Sequence, residues 1–78
     1  MLLRYVTSLM KRARYERLES GRYYGEIPGC PGVWSEEGHL EDCRETLQEV
    51  LEEWILLKLR DGDPLPVVDG VDLTVKAA

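Results

Sequence analysis

The sequence predicts a two-layer α+β domain. Three features carry that expectation: apolar residues at three- and four-residue steps near the start, alternating short segments after it, and a long helical pattern over residues 40–60. The expected order is a short N-terminal helix (1–14), three antiparallel strands (15–35), one long helix packed on the sheet (40–61) and a final strand (71–76). Seventy-eight residues make one domain, 1–78. A core of that size usually supplies only about 3–5 kcal/mol of net stability, so small domains tend to add staples or partners.

Each element has its own reason. Leu2, Val6, Leu9, Met10 and Ala13 form one apolar stripe on the first helix. The basic residues Lys11, Arg12 and Arg14 are expected in its last turns, where positive charge suits the helix dipole. Residues 15–19 alternate apolar and charged, the sign of a half-buried strand, and Ser20-Gly21 is a turn signal. Residues 22–27 alternate more weakly and are rich in aromatics, so a hairpin is the simplest connection. Pro28-Gly29-Cys30-Pro31-Gly32 cannot continue a central strand, because proline lacks the donor and glycine adds freedom. Val33-Trp34-Ser35 is then a short third strand.

The long helix is the clearest element. Leu40, Cys43, Leu47, Val50, Trp54 and Leu57 follow helical spacing, and Leu51, Ile55 and Leu59 form a second line beside them. One line is expected on the sheet. The excess width, at Leu51, Ile55 and Leu59, is a candidate oligomer interface, although a deep single core explains it as well. Glu41 and Asp42 in the first turn and Lys58 and Arg60 in the last suit the dipole, and Gly62 is a plausible stop. Asp63-Pro64-Leu65-Pro66 reads as a stiff, extended connector, Asp69-Gly70 as a turn, and Val71, Leu73 and Val75 as the inward residues of a last strand.

Composition narrows the function. The net charge of −5 is unsuited to holding nucleic acid, whose phosphates demand a basic footprint. Arg4, Lys11, Arg12, Arg14 and Arg17 place positive charge early, whereas Glu36, Glu37, Glu41, Asp42, Glu45, Glu49, Glu52 and Glu53 make the middle acidic. Two solvated faces explain this pattern; an acidic face that meets a basic partner explains it more sharply. No stretch approaches the ~20 apolar residues of a membrane span. Arg4 follows the start closely and no signal peptide is apparent, so a cytoplasmic protein with two reduced thiols is expected.

Catalytic patterns are weak. Cys30, His39 and Cys43 invite a metal reading, but a structural zinc site wants four ligands in paired short spacings, and here there is no CxxC and one histidine. The simpler reading places Cys43 in the core of the long helix, Cys30 in the Pro/Gly loop and His39 in solvent before the helix. Glu16, Glu26 and Glu45 could form a metal-dependent nuclease site only if they converged from strands and helix. No Gly-rich phosphate loop is present. Tyr15, Tyr23, Tyr24, Trp34 and Trp54 lack interleaved basic residues and read as core and interface aromatics. No enzyme, metal or cofactor is expected.

An ordered series of short motifs resembles the HicB-like antitoxin family, in its compact stand-alone branch. The series is Ala13-Arg14-Tyr15-Glu16, Tyr24-Gly25-Glu26-Ile27-Pro28, Gly32-Val33-Trp34, Leu40-Glu41-Asp42-Cys43-Arg44-Glu45 and Glu49-Val50-Leu51-Glu52-Glu53-Trp54. The likeness spans roughly residues 5–75. It implies a partial RNase H-like fold, a small sheet backed by one long helix, without the RNase H carboxylate set. It also implies a dimer or tetramer, and a partner: HicA, a small basic RNA-cleaving toxin whose active site the antitoxin covers. Many members also carry a C-terminal helix-turn-helix or ribbon-helix-helix that binds the operator; this sequence stops at Ala78 without one, which puts operator binding in doubt. His39 stands where the family often has a capping threonine.

The expected function is therefore non-catalytic protein binding, with Glu26, Glu36, Glu37 and Glu41 as candidate partner contacts. The alternative is a stand-alone homo-oligomeric scaffold or regulatory subunit without a toxin.

Overall fold

The structure, a computed structural model, describes residues 2–70; the strand expected at 71–76 lies outside the described residues. The fold is α+β. Helix α1 (Leu2–Met10) leads into strands β1 (Arg14–Arg17), β2 (Tyr23–Glu26) and β3 (Trp34–Glu37), and helix α2 (Leu40–Asp61) follows. The strands form an antiparallel meander in the order β1-β2-β3. Tyr15, Gly25 and Ser35 are aligned across it, and so are Glu16, Tyr24 and Glu36. Among the described residues no helix is long and apolar enough to cross a membrane.

The two turns of the meander differ in kind. The first is closed by Gly21 N–H on the Leu18 carbonyl at 2.9 Å, with Leu18 N–H on the Arg22 carbonyl at 2.7 Å. The second, between β2 and β3, is two successive turns of one design. Cys30 N–H bonds the Ile27 carbonyl and Val33 N–H bonds the Cys30 carbonyl, each at 3.1 Å. Pro28 and Pro31 hold the second position of each turn, and Gly29 and Gly32 the third, both with φ +88°. That is the type II pattern, which needs a residue tolerant of positive φ at its third position. Its consequence is that every third residue points inward: Ile27, Cys30 and Val33 are all buried.

Helix α2 packs on β2 and β3 and not on β1. Its buried row is Cys43, Leu47, Leu51 and Ile55, a single line at four-residue steps. This corrects the expectation that Leu51 and Ile55 are spare apolar width. They have no surface left for a second subunit, because α1, the Ile27–Val33 loop and the segment after α2 all join their core through Tyr5, Val6, Leu9, Met10, Val33, Leu65 and Val68. Leu59 is half-buried against the same core. The apolar residues α2 leaves outside are Leu40, Leu56 and Leu57. Because the helix misses β1, all four β1 residues are exposed and the strand is not half-buried as its alternation predicts.

Helix α1 is shorter than the sequence pattern. It ends at Met10, and Arg12 N–H and Ala13 N–H bond the Leu9 and Met10 carbonyls three residues back, tightening the chain toward β1. Lys11, Arg12 and Arg14 therefore lie beyond its last turn. Tyr5, absent from the predicted stripe, is fully buried and donates its hydroxyl hydrogen bond to the Pro66 carbonyl. The connector after α2 is thus part of the core. Arg12 pairs with Asp69 at 3.1 Å. The Ser8 hydroxyl, and then Arg12, hold the Asp69 carboxyl below the usual carboxylate range.

The ends of α2 contrast. At the C-terminus Gly62 adopts φ 70°, with Gly62 N–H on the Leu59 carbonyl and Asp63 N–H on the Lys58 carbonyl, a Schellman cap. At the N-terminus His39 has the extended backbone of a cap residue, yet its side chain makes no capping bond.

Where helix meets sheet, the approach is set by small residues. Ser35 Oγ–H donates to the Cys43 carbonyl at 2.8 Å, and Ser35 Oγ lies 3.3 Å from Cys43 Sγ. A Cβ on Gly25 would sit 3.0 Å from a Tyr15 ring carbon and 3.1 Å from Cys43 Sγ. Glycine here lets the Tyr15 ring lie across β2 and the helix come close. Gly25→Val is expected to cost about 2 kcal/mol by overpacking, read as a lower urea midpoint at unchanged slope; an unshifted midpoint would mean that the helix moves freely. At His39 the sign reverses. His39→Ser is expected to add about 1 kcal/mol by supplying the missing cap, measured by the same denaturation.

Candidate functional site

The sheet has two faces, and the register divides the site residues between them. The face toward α2 carries Tyr15, Gly25, Ser35, Tyr23 and Glu37, anchored by the Ser35–Cys43 bond. The opposite face carries Arg14, Glu16, Tyr24, Glu26, Trp34 and Glu36, and among the described residues no element packs over it. It follows that the four glutamates expected to meet a partner do not form one patch. Glu26 and Glu36 share the open face. Glu37 points to the helix side, where Thr46 Oγ1–H donates to it at 3.2 Å. Glu41 is exposed in the first turn of α2.

The open face is built around two aromatic rings. Tyr24 and Trp34 stack with centroids 6.1 Å apart and planes at 23°. Alternation along β2 and β3 sends both rings outward, and the diagonal of an antiparallel pair brings them together. Trp34 is 54% exposed, a large area for an indole. Carboxylates surround the pair: Glu16 and Glu36 flank Tyr24 across the strands, and Glu26 lies opposite Trp34. Glu36 accepts from Arg22 Nε at 2.8 Å. Tyr24 O–H reaches Glu26 at 3.5 Å. Partial burial, then the negative charges of Glu26 and Glu16, push the Tyr24 phenol above its ordinary value.

A second acidic surface runs along the outside of α2, where Glu41, Glu45, Glu49 and Glu52 alternate with Arg44 and Gln48 along a shallow polar trough. A third feature is apolar: a shallow hollow of about 240 Å³ at the seam of the two helices, lined by Leu2, Leu3, Val6, Glu52 and Leu56.

The residues tested for chemistry lie apart. Glu16 and Glu26 are on the open face, but Glu45 is on the helix that covers the other face, so the three do not converge. Cys30 and Cys43 are both buried free thiols. Burial pushes the Cys30 thiol up, away from the thiolate that a nucleophile or a metal ligand needs. Among the described residues, no three His, Cys, Asp or Glu side chains come together as a metal site would require. Tyr15 also ionises above its usual value, raised by burial and opposed by nearby Arg44.

Sequence reasoning named Glu26 and Glu36 and read Tyr24 and Trp34 as core and interface aromatics without separating the two or joining them to the glutamates. The strand alternation itself held the missing signal, since Glu16, Tyr24, Glu26, Trp34 and Glu36 all fall on one parity class once the register is known.

Fold and face together define a small helix-backed sheet that presents an uncovered aromatic and acidic surface. The chain belongs to the UPF0150-like family, whose model matches residues 4–66. It is also similar to the crystal structure of TTHA0281 from Thermus thermophilus, at 40% sequence identity and a TM-score of 0.88, with 97% of this chain and 95% of that one covered. No curated protein matches it.

The electrostatics of the open face can be read directly. Glu26→Gln removes a neighbouring negative charge, so the Tyr24 phenolate becomes easier to form and its titration midpoint is expected to fall. Spectrophotometric titration against a Tyr24→Phe control isolates this tyrosine; an unmoved midpoint would place Glu26 too far away to matter.

Proposed function

We propose that this chain is a non-catalytic protein-binding module of the HicB antitoxin kind, acting in the cytoplasm by covering the active site of a small basic RNA-cleaving partner of the HicA type. The observation that carries the reading is the uncovered sheet face, with stacked Tyr24 and Trp34 ringed by Glu16, Glu26 and Glu36 on a chain of net charge −5. An exposed tryptophan and tyrosine supply the anchors protein interfaces favour, and acidic surroundings favour a basic partner. Membership of the UPF0150-like family is compatible with this role, and the motif series gives the more particular likeness to HicB. The mechanism is occlusion and charge complementarity, with no group on this chain transferring a proton or forming a bond.

A second reading is a homo-oligomeric scaffold or regulatory subunit. Its support is the apolar hollow at the helix seam, where Leu3 is 81% exposed beside Leu2 and Leu56. Apolar residues gathered at one place on so small a surface favour association.

One experiment separates the two. The tagged chain is recovered from its native cells and the co-purifying proteins are identified by mass spectrometry, with light scattering on the eluate. The first reading expects a stoichiometric small basic protein, lost on Glu26→Lys. Bait alone, eluting as a dimer or tetramer, would transfer the role to the second.

A further inference from the structure

We propose that the open sheet face is a reader of arginine side chains, in which a guanidinium from a basic protein segment lies over the exposed Trp34 ring and bonds the carboxylates of Glu26 and Glu16. This deepens the protein-binding reading and rests on it. The inference starts from a comparison of the molecule's two tryptophans. Trp54, on α2, already has a cation: Lys58 Nζ sits 5.5 Å from its ring centroid. Trp34 is more than half exposed, and among the described residues no cation lies over it. The two rings thus present the same chemistry, filled internally in one case and open in the other.

The carboxylates repeat this contrast. Glu36 is neutralised by Arg22 within the chain, a guanidinium–carboxylate pair beside the same stacked rings. Glu16 and Glu26 make no ion pair among the described residues. Both lie near enough to Tyr24 to disfavour its phenolate, so their negative potential converges on the ring pair. Planar stacking surface plus two carboxylates suits arginine better than lysine. A guanidinium stacks flat on an indole and forks its donors onto carboxylate, whereas an ammonium is a compact, strongly hydrated charge. Arg14 also stands on this face, opposite Glu26 in the register, but no ion pair joins the two among the described residues. The outer acids of α2 offer no equivalent site, because no aromatic ring is among the residues lining their trough.

The test uses the full chain, isotope-labelled, titrated with hexa-arginine, hexa-lysine and hexa-glutamate peptides at low salt while amide and indole N–H shifts are followed. The expected result is hexa-arginine binding mapped to Glu16, Tyr24, Glu26 and the Trp34 indole, tighter than hexa-lysine, with hexa-glutamate silent. Glu16→Gln/Glu26→Gln should weaken it about tenfold and Trp34→Ala about threefold, while Glu45→Gln/Glu49→Gln on α2 leaves it unchanged. The glutamine pair changes only exposed side chains, so the result does not depend on Trp34→Ala folding. Shifts centred on α2, equal affinity for both cationic peptides, or indifference to the glutamine pair would overturn the proposal. Because no native partner is needed, such a failure is distinct from failure of the protein-binding reading, which the recovery from cells decides.

Discussion

The structure depends on how closely the first turn of α2 can approach the sheet. Leucine contacts are non-directional and would allow the helix to slide or roll. The Ser35 hydroxyl on the Cys43 carbonyl is directional, and it is buried. With Gly25 beneath and the Cys43 thiol above, only small groups separate the two layers at this point. That contact places α2 over β2 and β3. From this follow the exposure of β1, the fold of Tyr15 back across Gly25, and the commitment of Leu51 and Ile55 to the interior.

The same contact sorts the charges. A chain with fifteen acidic residues must place most of them in water, but it need not place them alike. On α2 they form a solvated stripe interrupted by Arg44, a pattern suited to keeping a helix soluble. On the sheet they stand beside the stacked Tyr24 and Trp34 rings, which offer a partner a flat apolar surface next to the charge. Abundance of glutamate is therefore a poor guide to a site, and the neighbours of each glutamate are a good one.

Much of this architecture is legible in the residues. The dipole-matched ends of α2, its Gly62 stop and the Ser20-Gly21 turn each rest on local chemistry, and local chemistry is what a sequence states directly. The repeated Pro-Gly in the loop before β3 was also readable as two turns, since each pair supplies the fixed φ and the positive φ such a turn needs. What the residues could not state was azimuth. Which line of α2 faces inward is decided by what else arrives to cover it, and Tyr5, Leu65 and Val68 come from segments far apart in the chain. The open face escaped for the same reason: Tyr24 and Trp34 fit core or interface equally until the register shows that α2 occupies the other side. β3 runs on to Glu37 where apolar patterning stops at Ser35, because Arg22 and Thr46 give the two glutamates partners.

The bond from Tyr5 to Pro66 joins residues sixty-one positions apart. During synthesis, α1 leaves the ribosome well before the residues that bury its apolar side. The nascent chain must carry Tyr5, Val6 and Leu9 without their final partners until Leu65 and Val68 have emerged, and only then can the long loop close. A chain interrupted before Leu65 would still have α2 for α1 to pack on, but it would leave the side of Tyr5 that the 65–68 segment covers open to water.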